Sequence, residues 1–215
     1  MTKRLPLEGV RVVELGSLIA GPYAGSLLAQ FGADVIKVEP PDGGDPLRKW
    51  RKLHDGTSLW WYSQSRNKKS LTLDLRKPRA QQIARDLIGT ADLLIENFKP
   101  GTLENWGLGW ESLSQLNPRL IMVRVSGYGQ TGPYHQRPGF AAIAESMGGL
   151  RYVAGYPDRP PVRVGVSIGD TLAGLYGVIG ALIAMRHRDS DNGKGQYVDV
   201  ALYEAVFGVM ESLLH

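Results

Sequence analysis

Short, almost unbroken apolar runs alternate with segments of helical period along most of this chain. "GVRVVEL" precedes "PYAGSLLAQFG", "DVIKVE" follows, "SLTLDL" precedes "PRAQQIARDLIG", and "DLLIENF" and "RLIMVRVS" lead to the helix-compatible "FAAIAESMGG". A strand that is apolar on both faces must be covered on both. The pattern therefore predicts a mostly parallel sheet between helical layers, a doubly wound, Rossmann-like α/β architecture. Ligands of such sheets bind beyond the carboxyl ends of the strands. The later part adds the β-rich run "PVRVGVSI", a helix over about residues 171–188, the run "QYVDVAL" and a last helical run to the terminus, with "RDSDNGKGQ" as the intervening turn.

Composition closes several branches of chemistry. A chain of 215 residues, 43% hydrophobic, can bury one sizeable core or part of a larger one. Glu8, Arg11 and Glu14 interrupt the start of the chain, so no signal peptide is expected there. The longest apolar stretch, residues 171–185, is glycine-rich and reads as a buried helix, so no membrane association is expected. With zero Cys there is no disulfide, thiolate nucleophile or Cys-type metal site, which fits a reducing, cytoplasmic setting. His54, His135, His187 and His215 form no close-spaced pair, so no metal site is expected.

The net charge of +4 conceals an asymmetry. Residues 48–79 hold ten cations (Arg48, Lys49, Arg51, Lys52, Arg66, Lys68, Lys69, Arg76, Lys77, Arg79) against Asp55 and Asp74, a balance of +8. The rest of the chain is net acidic. Local basicity of this kind suits either a solvated face or an anionic ligand. No zinc-finger spacing or aromatic RNA-binding motif accompanies it, so a phosphorylated small molecule is expected rather than nucleic acid.

Two glycine motifs compete for attention. Gly127, Gly129 and Gly132 spell G-x-G-x-x-G after a strand, but Pro133 and polar residues follow where a dinucleotide site needs a helix. Gly165, Ser167 and Gly169 spell G-x-S-x-G between a predicted strand and helix, which keeps a serine hydrolase open. Its only downstream histidines are His187 and His215, an awkward source for a triad. Asp170 follows at once. An Asp just before a helix is a favoured N-cap, so the residues alone leave capping and catalysis both open. Beyond it, Leu172, Leu175, Tyr176, Ile179, Leu182 and Ile183 recur at helical spacing, while Gly174, Gly177 and Ala181 leave a smooth side for close approach.

The blocks "PLEGVRVVELGSLIAGPYAGSLLAQFGADVIKVEPPDGGD", "NKKSLTLDLRKP", "ADLLIENFKPGTLENWGL", "NPRLIMVRVSGYGQTGP", "GDTLAGLYGVIGAL" and "GKGQYVDVALYEAV" occur in this order. In that order they resemble the class III CoA-transferases, the formyl-CoA transferase and carnitine CoA-transferase group. The resemblance covers nearly the whole chain. It implies a Rossmann-like large domain over residues 1–215, with coenzyme A as co-substrate, an acyl-CoA and a small carboxylic acid as partners, and no metal. It implies that Asp170 is the nucleophile that forms an aspartyl anhydride. It further implies CoA contacts at Ile19 and Ala20, at Leu73, Asp74, Leu75 and Arg76, at Asn97, Phe98 and Lys99, and around Gly139 and Phe140.

Departures from the family pattern are local. Pro40 stands where several members carry Arg, and Asn105 where another basic contact occurs. The related α-methylacyl-CoA racemases pair the Asp with a His that would fall at Phe140. Phe cannot relay a proton, which disfavours that alternative. Family members are longer, with a smaller second domain and an interlocked dimer. The resemblance therefore implies a homodimer or a companion chain, an incomplete large domain, or else a non-catalytic CoA-binding fragment.

Overall fold

The computed structural model describes residues 4–190 and 193–213. Asp191 and Asn192 of the expected turn, and His215, lie outside the described residues. In chain order the strands are β1 (Arg11–Glu14), β2 (Asp34–Glu39), β3 (Leu53–His54), β4 (Thr57–Ser58), β5 (Lys68–Thr72), β6 (Leu93–Glu96), β7 (Ile121–Ser126) and β8 (Tyr197–Ala201). The helices are α1 (Ala20–Gln30), α2 (Leu59–Gln64), α3 (Pro78–Ile88), α4 (Thr102–Asn105), α5 (Trp110–Leu116), α6 (Ala141–Met147), α7 (Leu150–Val153), α8 (Ile168–Ser190) and α9 (Leu202–Phe207).

Six strands form one sheet in the order β5-β2-β1-β6-β7-β8, every pairing parallel, while β3 and β4 make a separate antiparallel hairpin. The chain runs outward from β1 through β2 to β5, then returns to β6 on the other side of β1. This reversal is the dinucleotide-fold strand order, and it opens a crevice between the ends of β1 and β6. Alternate residues feed two cores. Val12, Leu93, Ile95, Ile121 and Val123 face the layer of α1, α6, α8 and α9, whereas Val13, Leu94 and Met122 face that of α3, α4 and α5. Pro at the first position of α3 starts that helix where an amide donor is not needed. Gly32, at φ +102°, ends α1 by letting Ala33 N donate to Leu28 O at 3.1 Å.

Two expectations need correction. "PVRVGVSI" forms no strand: Val162, Val164 and Val166 lie exposed in a loop, because β8 takes the place beside β7 and leaves this segment no partner. The last helical run ends at Phe207 rather than continuing. The long helix buries the smooth side expected for close approach. Gly169, Ala173, Gly174, Gly177, Ala181 and Ala184 are buried, while Leu175, Tyr176, Ile179, Leu182 and Ile183 lie on the surface of the described chain. Close approach explains it: a Cβ on Gly174 would lie 2.9 Å from the Tyr23 ring and 3.0 Å from Ala20 O of α1, and one on Gly177 3.0 Å from the Val123 side chain of β7.

Candidate active site

A cavity of about 540 Å³ opens beyond the carboxyl ends of β1, β6 and β7, at the topological switch point. Its walls are the β1–α1 turn (residues 17–20), the segment after β6 (residues 97–100), the end of β7 with residues 137–142, and Arg163, Ser167 and Asp170 at the start of α8.

The β1–α1 turn is held by buried polar side chains. Leu18 adopts φ +64°, a left-handed conformation that costs a branched side chain of order 1 kcal/mol and persists only when its surroundings fix it. Asn97 Nδ2 donates to Ser17 O at 2.9 Å, and Asn97 Oδ1 accepts from Ser17 N at 2.8 Å. Asp45 accepts from Leu18 N at 3.1 Å, and Lys37 Nζ donates to Gly16 O at 2.8 Å. Lys37 also meets Asp45 at 2.8 Å and Glu14 at 2.9 Å, and Lys68 reaches Glu14 at 2.7 Å. All four charged groups are essentially inaccessible to solvent. Burial pulls the Lys37 ammonium down, but the Glu14 and Asp45 carboxylates outweigh it and hold it above its usual range. Lys68 is pushed down, chiefly by burial.

The opposite wall depends on two glycines. A Cβ on Gly139 would lie 2.6 Å from Gly127 Cα, so these backbones touch as no other pair of residues could. Gly129 and Gly132 take φ of +83° and +87° in the loop between them, which confirms the G-x-G-x-x-G stretch as turns rather than a helix opening. Phe140 is 67% exposed and lines the cavity mouth.

Asp170 lies inside the first turn of α8, which starts at Ile168, and its carboxylate makes no hydrogen bond among the described residues. The capping role that the residues left open for it is therefore not seen among the described residues. Burial, with the nearby Glu145 carboxylate, raises its pKa to about 6, and Arg163 opposes the rise. Glu145 itself, on α6, is wholly buried; Arg163 Nη2 donates to its Oε1 at 3.3 Å, and Arg151 Nε lies 3.7 Å from its Oε2. Ser167 lines the cavity, but no strand leads into it. His187 is at the far end of α8, about 30 Å along the helix, so the nucleophile elbow is not built.

The cavity thus brings together Asp170, Ile19, Ala20, Asn97, Phe98, Lys99, Gly139 and Phe140. Asn97 contributes by clamping Ser17, since its amide is already committed on both sides. Leu73, Asp74, Leu75 and Arg76 are not among the lining residues; they follow β5 at the sheet edge, where Leu73 and Leu75 join the second core and Arg76 pairs with Asp74 at 2.7 Å in solvent. Much of the +8 segment is neutralised internally. Arg48 forks onto Glu39 at 2.8 and 2.9 Å, Lys68 is buried on Glu14, and Lys69 pairs with Asp34. Of the ten cations only Arg51 lines the cavity. The sequence reading missed Arg137, Arg163 and Glu145. The signal available for Glu145 was a lone charge beside the small apolar residues of "AAIAES", on the face that α6 buries. No group of three or more His, Asp or Glu able to hold a metal occurs among the described residues.

Residues 7–215 match the sequence profile of CoA-transferase family III. The chain is 56% identical over 210 residues to the succinyl-CoA–D-citramalate CoA-transferase of Chloroflexus aurantiacus, covering 97% of this chain and 52% of that protein. It is 53% identical over 215 residues to the succinyl-CoA–L-malate CoA-transferase beta subunit of the same organism, covering 99% and 53%. A crystal structure of a CaiB/BaiF family protein from Brucella suis superposes with a TM-score of 0.92 at 41% identity, over 97% of this chain and 56% of that one. The chain spans about half the length of the curated relatives it matches.

Proposed function

This chain belongs to CoA-transferase family III, and from that membership we propose that it carries the acyl-CoA site of an enzyme exchanging coenzyme A between dicarboxylic acids. Asp170 is the group that takes the acyl carbon. The observation that carries the reading is a half-buried carboxylate, free of hydrogen bonds among the described residues, facing a cavity at the switch point of the sheet. The similar proteins act on succinyl-CoA with citramalate or malate, which supports the substrate class.

An Asp170 oxygen attacks the thioester carbon, the C–S bond breaks, and the electron pair leaves with the CoA thiolate. The product is a mixed anhydride between Asp170 and the acyl group. The thiolate returns to the Asp170 carbonyl and expels the first acid as its carboxylate. The acceptor carboxylate then attacks the aspartyl thioester, forming a new anhydride and freeing the thiolate again. Thiolate attack on the acceptor's acyl carbon gives the new acyl-CoA and restores Asp170. Each step exchanges one acyl–oxygen or acyl–sulfur bond for another, so no proton needs to be relayed. Phe140, which lines the cavity where a racemase would need an acid–base side chain, is consistent with this. The alpha and beta subunits named among the relatives support a companion chain in the working assembly.

The test is chemical trapping. Intact protein, with any companion chain, is incubated with succinyl-CoA and quenched with hydroxylamine, and peptides are analysed by mass spectrometry. Modification is expected at Asp170. Label on Ser167 instead, or on neither residue while transfer proceeds, overturns the covalent role.

A further inference from the structure

We infer that Arg163 is a specificity-determining residue, which receives the distal carboxylate of a dicarboxylic acyl group, and that buried Glu145 holds its guanidinium for this task. The inference rests on the reading of Asp170 as the acyl acceptor. Its starting point is the charge on the cavity wall: Arg51, Lys99, Arg137 and Arg163 face a single lining carboxylate, Asp170. Coenzyme A brings several phosphate charges, but the pantetheine arm separates them from the sulfur. A cation beside the nucleophile is therefore out of their reach. Of the four, Arg163 is the one whose field acts on Asp170.

Arg163 is also the one anchored to a buried acid. Its Nη2 donates to Glu145 Oε1 at 3.3 Å, the only hydrogen bond of this side chain among the described residues, and half of the side chain remains exposed. A guanidinium carries five N–H donors in a planar fork and binds a carboxylate through two of them, so one anchored edge leaves others for a ligand. A succinyl group attacked by Asp170 carries its second carboxylate two methylenes from the reacting carbon. A monocarboxylic acyl group offers Arg163 nothing to bind.

Equilibrium binding separates this from other roles of Arg163. Calorimetry is performed on the intact protein carrying Asp170→Asn, which stops turnover, with succinyl-CoA, butyryl-CoA and CoA. Succinyl-CoA is expected to bind at least about tenfold tighter than butyryl-CoA, the scale of one charged hydrogen bond. Adding Arg163→Gln should bring the two within about threefold, with butyryl-CoA and CoA affinities unchanged, and Glu145→Gln should give a partial loss of the same kind. No preference in the Asp170→Asn protein, a preference that survives Arg163→Gln, or an equal loss for all three ligands would overturn the inference. Transfer by the protein with Asp170 intact is measured alongside. Discrimination without Asp170-dependent transfer sinks the nucleophile and leaves the subsite, whereas transfer without discrimination does the reverse.

Discussion

Replacing Asp170 by Asn should stabilise the protein while abolishing transfer. In the unfolded chain this carboxyl ionises near 3.8; in the folded one burial and Glu145 move it to about 6. The folded state therefore binds the proton more tightly than the unfolded state. Between those two values the native protein holds more protons, so stability falls as pH rises through the window and stays low above it. Once ionised, the group costs the folded state about 3 kcal/mol, at 1.36 kcal/mol per pKa unit. Asn removes the charge but keeps a polar amide in the same half-buried place, so the net gain is set at about 1 to 3 kcal/mol. In a chain of this size each kcal/mol moves the melting temperature by about 2–4 °C.

Thermal unfolding of the wild-type and Asp170→Asn proteins is followed from pH 4 to pH 8. The variant's advantage should be near zero at pH 4, grow through pH 6 and reach a plateau of about 2 to 12 °C by pH 7.5. A capping Asp would behave differently, because Asn caps about equally well and the two curves would coincide at neutral pH. A variant that melts lower than wild type at pH 8, or an advantage that shrinks as pH rises, refutes the placement of an unpaired carboxylate at the cavity wall.

Lys37→Met should destabilise by about 3 to 5 kcal/mol, because Glu14 and Asp45 would keep buried charges without their shared cation; denaturant unfolding that shows less than about 1 kcal/mol contradicts the buried pair. Gly139→Ala should cost about 1 to 3 kcal/mol through its clash with Gly127 and weaken CoA binding, both read from the same purified variant by denaturation and calorimetry. Arg76→Ala should change CoA affinity by less than about threefold, since Arg76 is an exposed partner of Asp74 away from the cavity; a tenfold loss by calorimetry would return it to the site.

The central strands β1, β6 and β7 were legible because they are nearly continuous apolar runs buried on both faces, and the position of the site followed from their parallel order. The edge strand β5 was less clear. Lys68 opens it with a cation that looks solvent-bound in sequence but runs inward to Glu14, so the expected strand began two residues late. Residues 161–166 alternate like a strand, yet alternation does not say whether a sheet has an edge to offer. The long helix was legible on its small side: Gly174, Gly177 and Ala181 mark a face for close approach, and that face packs on α1 and β7. Asp170, the β1–α1 turn and the segment at Asn97 were legible from ordered motifs. The Arg163–Glu145 contact joins residues 18 apart through tertiary packing and has no local pattern.

The seating of α8 on glycine has a consequence for precision. Side-chain contacts give way by rotamer hops, but Gly174 rests against the carbonyl of Ala20 and the backbone of Ala24, and Gly169 against the main chain of Ala141. Ala20 is itself a cavity wall, and Gly174, which meets it, lies one helical turn beyond Asp170 on α8. The spacing between the candidate nucleophile and the surface it faces is thus gauged in part by main chain against main chain, beside the Tyr23 and Val123 side chains. Attack geometry tolerates only about half an ångström of error, and a contact on main chain has fewer ways to give than one on a side chain that can change rotamer.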